Sequence, residues 1–238
     1  MKKIKPVYLI AGGNWRRPGS LLPLFKKILQ ATGKEKPHVA YIGTANCDDP
    51  SFFEFTGDYL TRAGASKVTQ IFLADDDADI KSAKSILKKA DAVFVSGGDV
   101  DEGMYWLDKH RLTPFLRNLH ANGVLFFGLS AGSIMLGTHW VRWRNPMDDS
   151  SAELFRCMGI APVLCDAHAE ADGWEELKTA LMLMGENSKG YGIPTGGVVC
   201  VEADGKLSAL VKPAVYYRNI NGRILKEKVI PLINKPSS

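Results

Sequence analysis

Five short, mostly apolar runs recur along the first half of the chain, at residues 7–11 (VYLIA), 39–43 (VAYIG), 68–72 (VTQIF), 92–96 (AVFVS) and 124–128 (VLFFG). Between them lie longer stretches with apolar residues at helical spacing: 20–29, 52–63, 79–89 and 104–121. A strand that is apolar on both faces must be covered on both faces. Regular alternation of such strands with helices therefore predicts a parallel sheet sandwiched between helical layers. After about residue 138 the rhythm changes. One more helix is predicted over 174–184, and shorter strands at 192–193, 198–202, 207–211 and 215–217 are joined by turns such as Ala203-Asp204-Gly205. With no linker, repeat or low-complexity segment, residues 1–238 read as a single α/β domain with a β-rich C-terminal part.

Composition narrows the function classes. The formal net charge of +4 comes from the ends: Lys2, Lys3 and Lys5 at one, and the basic residues from Arg223 onward at the other, leaving a slightly acidic body. A nucleic-acid protein carries its basic stripe on the fold, so no nucleic-acid partner is expected. No apolar run approaches the ~20 residues of a membrane span, and the apolar stretch after the basic start is too short for a secretory signal. No membrane association and a cytoplasmic location are the expectations. Cys47, Cys157, Cys165 and Cys200 show neither a CxxC nor a Cys/His ligand spacing, so a metal site and a disulfide framework are not expected. The glycine patterns of phosphate-binding loops are absent too, and no cofactor is expected.

In open α/β sheets the chemistry gathers beyond the carboxyl ends of the strands. Three glycine turns lie there: Gly12-Gly13-Asn14, Gly97-Gly98-Asp99, and Gly128-Leu129-Ser130-Ala131-Gly132. The last is G-x-S-x-G between a strand and a helix, the context of a nucleophile elbow. A sharp turn there lifts Ser130 into the open, and the helix start offers free N–H groups to developing negative charge. Ala131 N–H is one candidate oxyanion donor, and the Gly97-Gly98 turn offers a second. A serine nucleophile needs a base. Of the five histidines, His38, His110 and His120 read as surface residues. His139 is placed at the far end of the helix after Ser130. His168, 38 residues beyond the serine, is the candidate base. A third member would orient the imidazole. Asp148 and Asp149 lie in a loop between serine and histidine, and Asp166, Glu170 and Asp172 flank His168; the residues alone select none. Arg142, Arg144, Arg16 and Arg17 can reach the carboxyl edge of the sheet and are candidates to hold an acidic substrate. Core packing is the expected role of Tyr105, Trp140 and Trp143.

Taken together, the S-G-G-D turn, the G-L-S-A-G-S turn and the downstream D-A-H resemble the peptidase E and cyanophycinase family of serine peptidases, from about Val7 to about Val211. The resemblance implies a class I glutamine amidotransferase-like, flavodoxin-like fold: a three-layer α/β/α domain with a mostly parallel central sheet. It implies Ser130 as nucleophile, His168 as base, and oxyanion N–H groups from Gly98 and Ala131 in the Gly97-Gly98 and elbow turns. It implies small peptide substrates, among them those with an N-terminal or β-linked aspartate, read by Asp99, Arg142 and Arg144. Where cyanophycinase-like members carry a triad glutamate in G-I-D-E, this chain has Gly192-Ile193-Pro194-Thr195-Gly196. The peptidase E pattern places the acid after the nucleophile helix, at Asp148 or Asp149. The H-[FY]-x-x-R pattern is replaced by His168-Ala169-Glu170-Ala171-Asp172. A monomer or homodimer is expected. The alternative from another class is an impaired family member that binds a small metabolite or a protein. An α/β-hydrolase fold is disfavoured because 38 residues cannot hold two further strand–helix units between Ser130 and His168.

Overall fold

The computed structural model describes residues 3–12, 21–227 and 229–232. Gly13, Asn14, Arg16 and Arg17, singled out above, lie outside the described residues. The central sheet has seven strands in the order β11-β10-β1-β5-β4-β2-β3. They are β1 (Val7–Ile10), β2 (His38–Ile42), β3 (Lys67–Ile71), β4 (Ala92–Val95), β5 (Leu125–Leu129), β10 (Val198–Val201) and β11 (Leu207–Ala209). The first five run parallel, and β10 and β11 extend the sheet antiparallel beyond β1.

Alternation within each strand assigns its residues to the two faces. Val7 and Leu9 join one buried cluster, with Val93, Val95 and Phe126, beneath α3 (Ile80–Lys89), α4 (Val100–Lys109), α5 (Thr113–Ala121) and α6 (Ala131–Leu136). Tyr8 and Ile10 join the other, with Tyr41, Phe94 and Phe127, beneath α1 (Leu22–Gln30) and α2 (Pro50–Arg62). Both faces are thus apolar, which is why the strands read as continuous runs. The predicted helix over 104–121 is two helices. Arg111 adopts φ 53° and the Leu112 amide turns back to Leu107 O, closing α4; Pro114 then opens α5.

The C-terminal part forms a hairpin and a second sheet. β6 (His139–Trp143) pairs antiparallel with β7 (Ala152–Arg156). The second sheet, β13-β12-β9-β8, comprises β8 (Leu164–Ala167), β9 (Lys189–Ile193), β12 (Val215–Ile220) and β13 (Arg223–Lys226), with α7 (Glu175–Met184) in contact with it. His139 therefore opens a strand rather than ending a helix: α6 stops at Leu136, and the Gly137 and Thr138 backbone is captured by Ile134 O and Val163 O. No helix among the described residues is long and apolar enough to cross a membrane.

Candidate active site

Ser130 follows β5 at the centre of the parallel sheet, where the chain must reverse from strand to helix within one residue. It takes φ 53° and ψ −122°, a conformation that a non-glycine residue adopts only when its surroundings enforce it. The surroundings here are two missing side chains and three hydrogen bonds. A Cβ on Gly128 would lie 2.4 Å from Gly132 O, and one on Gly132 would lie 2.1 Å from Val95 O. The Ser130 amide donates to Ile10 O at 2.8 Å. The buried Ser133 hydroxyl accepts from the Ile10 amide at 2.8 Å and lies 2.8 Å from Gly128 O. The elbow is thereby tied to β1 as well as to β5.

His168 reaches the same point from the second sheet. It follows β8 with φ 52°, and its amide donates to Ile193 O of β9 at 2.9 Å. The imidazole Nε2 lies 2.6 Å from Ser130 Oγ. With the Ser130 hydroxyl as donor, Nε2 accepts and the ring proton sits on Nδ1, the tautomer a general base uses. His38, His110 and His120 are instead bonded to Thr69 Oγ1, Leu73 O and Lys5 O, structural uses that remove them as bases.

Two turns that line the same cleft offer N–H groups. Ala131 is the first residue of α6, so its amide has no partner within the helix. Gly98 adopts φ 144°, and a Cβ there would sit 1.8 Å from Ala45 O. No hydrogen bond occupies its amide among the described residues. A residue that the sequence did not flag fixes its direction: Asn46 Nδ2 donates to Gly97 O at 3.0 Å and to Ser96 Oγ at 2.9 Å, with Tyr41 O–H donating to the same Oγ at 2.8 Å. In a trans peptide, carbonyl and N–H point in opposite directions. Holding Gly97 O against Asn46 therefore leaves the Gly98 N–H pointing away from Asn46, free to donate into the cleft that Gly98 lines. Only the fold brings Asn46, in the 3₁₀ turn after β2, against this loop.

The cleft has a volume of about 440 Å³ and is lined by Gly98, Ser130, Ala131, Trp140, Trp143 and His168, among others, a size that suits a short peptide. Trp140 and Trp143 thus have a cleft wall as well as a packing role. Tyr105 is neither: it is 52 % exposed and meets Trp106 of α4 edge to face.

The acids and arginines are distributed otherwise than the sequence suggests. Asp148 and Asp149 sit at the turn between β6 and β7. Asp148 accepts from the Ser150 amide and hydroxyl, which lower its pKa, and neither residue lines the cleft nor bonds His168. The resemblance-based placement of the acid is therefore not realised in this geometry, because the hairpin carries both residues outward. Glu170 is the acid in electrostatic contact with His168. Burial raises its pKa, but the Thr195 hydrogen bond, with His168 adding to it, brings the net value below the usual range. The Thr195 amide donates to Glu170 Oε1 at 2.9 Å, so this carboxylate sits against the position where relatives of the cyanophycinase type carry their glutamate. Arg142 lines the cleft but is paired with Asp101 at 2.9 Å and Glu153 at 2.8 Å, and Arg144 pairs with Glu153 outside it. Asp99 lines the cleft and caps α4 through the Glu102 amide. Among the described residues, no three His, Cys, Asp or Glu side chains converge to hold a metal ion.

Comparison with known proteins places this geometry in context. A model of peptidase family S51 matches residues 7–208. A crystal structure of a peptidase from an acI-B1 Actinobacterium shares the fold with a TM-score of 0.69 and 18 % identity, over 94 % of this chain and 98 % of that one. A structure described as a peptidase E protein from Listeria monocytogenes EGD-e gives 0.65 and 17 %, over 87 % and 98 %. The sequence matches no curated protein.

Proposed function

The chain belongs to peptidase family S51 and is a serine-type peptidase, and from that premise we propose that it hydrolyses short peptides through an acyl-enzyme on Ser130. The observation that carries this reading is the 2.6 Å contact between Ser130 Oγ and His168 Nε2. Ser130 Oγ attacks the scissile carbonyl carbon as His168 Nε2 takes its proton. The tetrahedral oxyanion is held by the Gly98 and Ala131 N–H groups, donors of a kind worth roughly 2.7–4 kcal/mol each. Collapse breaks the C–N bond, and the leaving amine takes the proton from His168. Water then attacks the ester with His168 again as base, releasing the acid and restoring Ser130. Glu170 is the carboxylate proposed to orient the Nδ1–H of His168, in place of the absent glutamate at position 195. The experiment is covalent labelling with a fluorophosphonate. Wild type should be labelled on Ser130 and Ser130→Ala should not; an unlabelled, folded wild type overturns the reading.

A further inference from the structure

The β6–β7 hairpin is a sheet of two strands, so β6 has one edge paired with β7 and one edge that pairs with no described strand. Antiparallel pairing alternates residues whose backbone N–H and C=O point at the partner with residues whose groups point away. The Cys157 amide donates to Thr138 O at 3.0 Å, and the Arg144 amide donates to Ser151 O at 3.4 Å. With the register Trp140↔Phe155 and Arg142↔Glu153, these two bonds fix the alternation. Trp140, Arg142 and Arg144 direct their backbone groups at β7, while His139, Val141 and Trp143 direct theirs at the opposite edge. No hydrogen bond occupies the N–H or C=O of Val141 or Trp143 among the described residues.

That edge faces the reaction centre. Trp140, Val141, Arg142 and Trp143 line the cleft together with Ser130 and His168, and no residue of β7 does. β6 therefore stands between β7 and the cleft, and the edge turned away from β7 is turned toward the cleft. Its position is pinned: the Arg142 guanidinium meets Asp101 of α4 at 2.9 Å, and α4 starts two residues beyond Gly98. The strand edge and the oxyanion turn are thus held to one another. Arg142 already serves Asp101 and Glu153, so what this wall offers a substrate is main chain rather than charge. An open strand edge is a template for another extended chain, and whatever reaches this one has entered the cleft of Ser130.

We infer that β6 is the docking strand of the cleft: an extended peptide substrate adds to its free edge as a third strand, about 4.8 Å away. The peptide pairs first with the backbone of Trp143, which is half-buried, and further in with that of buried Val141. Recognition of this kind takes its affinity from main-chain hydrogen bonds. Val141 and Trp143 lie two residues apart, so the substrate class is peptides of three or more residues in extended form. A dipeptide, whose one amide is the scissile one, engages only part of the edge. The inference rests on the Ser130–His168 reading and deepens it.

The probes are penta-alanine, its four singly N-methylated analogues and dialanine, assayed with the full chain by chromatography. An added strand points alternate amides at β6. N-methylation should lower kcat/KM roughly 5- to 100-fold at one amide or at two amides two residues apart, the scale of a buried hydrogen bond lost, and less than about twofold at their neighbours. The scissile amide, located from the products, is left out. Dialanine should be slower than penta-alanine. Tolerance of every methyl group, equal loss at adjacent amides, or dialanine as fast as penta-alanine overturns the inference. On the protein, Trp143→Pro removes the free N–H without removing a bond to β7, as proline on an edge strand does, whereas Trp143→Ala removes the side chain alone. The readout is penta-alanine turnover divided by the rate of Ser130 labelling with a small neutral fluorophosphonate. This ratio should be at least about fivefold lower in the proline variant than in the alanine variant; equal ratios count against the inference. The methylation series needs no variant and decides the matter if Trp143→Pro does not fold. Should penta-alanine not turn over, the five longer peptides are compared as protectors of Ser130 against the fluorophosphonate. Alternating protection supports the inference, and equal protection or none overturns it. Labelling of Ser130 without alternation removes only the docking strand; a folded chain that is neither labelled nor cleaves removes the serine nucleophile as well.

Discussion

Ser130 and His168 meet at 2.6 Å but stand on differently built backbone. The Ser130 elbow sits in the middle of the parallel sheet, on glycines whose replacement would drive a Cβ into backbone oxygens, and Ser133 and Ile10 tie it down. The His168 loop sits at the end of a strand in the smaller sheet. It is exposed, and one backbone bond to Ile193 and electrostatic contact with Glu170 support it. The first region is rigid by steric necessity and the second by a few polar contacts. The nucleophile's position should therefore be brittle to mutation, and the base's position gradually tunable.

The largest effect expected from this contrast is at the elbow. Gly132→Ala puts a Cβ 2.1 Å from Val95 O and 2.6 Å from Ser96 O, and it should cost more than about 4 kcal/mol. Loss of folded protein, or of all Ser130 labelling, is the expected readout in thermal melts and probe assays; a folded, fully labelled variant would break the comparison.

Next comes Asp166, buried in β8 two residues before His168. Burial lifts its folded pKa from the ordinary 3.8 to about 7, so between pH 4 and 7 the native state holds more protons than the unfolded one. Stability contributed by this group therefore falls as pH rises through that window and is lowest above pH 7. Relative to wild type, Asp166→Asn should gain stability from pH 4 to pH 7, by at most roughly 4 kcal/mol, and level off above it. Denaturant melts at several pH values check this, and a pH-independent difference would refute it.

Asn46→Ala removes the bond that aims the Gly98 amide. The variant should lower kcat by roughly 10- to 100-fold with KM little changed, since an oxyanion donor acts mainly in the transition state. An equal rise in KM would assign Asn46 to substrate binding instead.

The smallest effects are expected among the acids. Glu170→Gln should lower kcat about tenfold, less than the roughly 10⁴-fold of a buried triad carboxylate, because Glu170 is exposed. Asp148→Asn and Asp149→Asn should leave the rate within about twofold, as exposed residues without a contact to the site do. A reversal of that order would return the third role to the β6–β7 hairpin.

Much of this was readable in advance, for reasons that differ by residue. The strands at 7–11, 39–43, 92–96 and 124–128 were legible because burial on both faces leaves a continuous apolar run; β3, at the sheet edge, is only partly buried and carries Thr69 and Gln70 within its run. Ser130 was legible because a strand-to-helix reversal with φ above zero and close backbone contacts admits few residue types on either side of it. His168 followed from distance along the chain, with His139 as the lesser alternative, which the fold places at the start of β6. The break at Arg111 was not legible, since a left-handed arginine leaves no compositional trace and the apolar spacing continues across it. Asp148 and Asp149 were misplaced because a loop's position in sequence says nothing of the direction in which its hairpin points. Arg142 and Arg144 were identified by charge type, but Asp101 is distant in sequence and Glu153 meets them only through the register of the β6–β7 hairpin.

The sequence by itself determined the layered α/β architecture and the serine turn, because local backbone geometry and two-sided burial restrict which residues can stand at each position. Only the tertiary structure decided that Asn46 aims an amide, that Glu170 rests against position 195, and that Arg142 of β6 meets Asp101 of α4. Those are contacts between segments far apart in the chain, and a net charge of +4 carries no record of which charges the fold brings face to face.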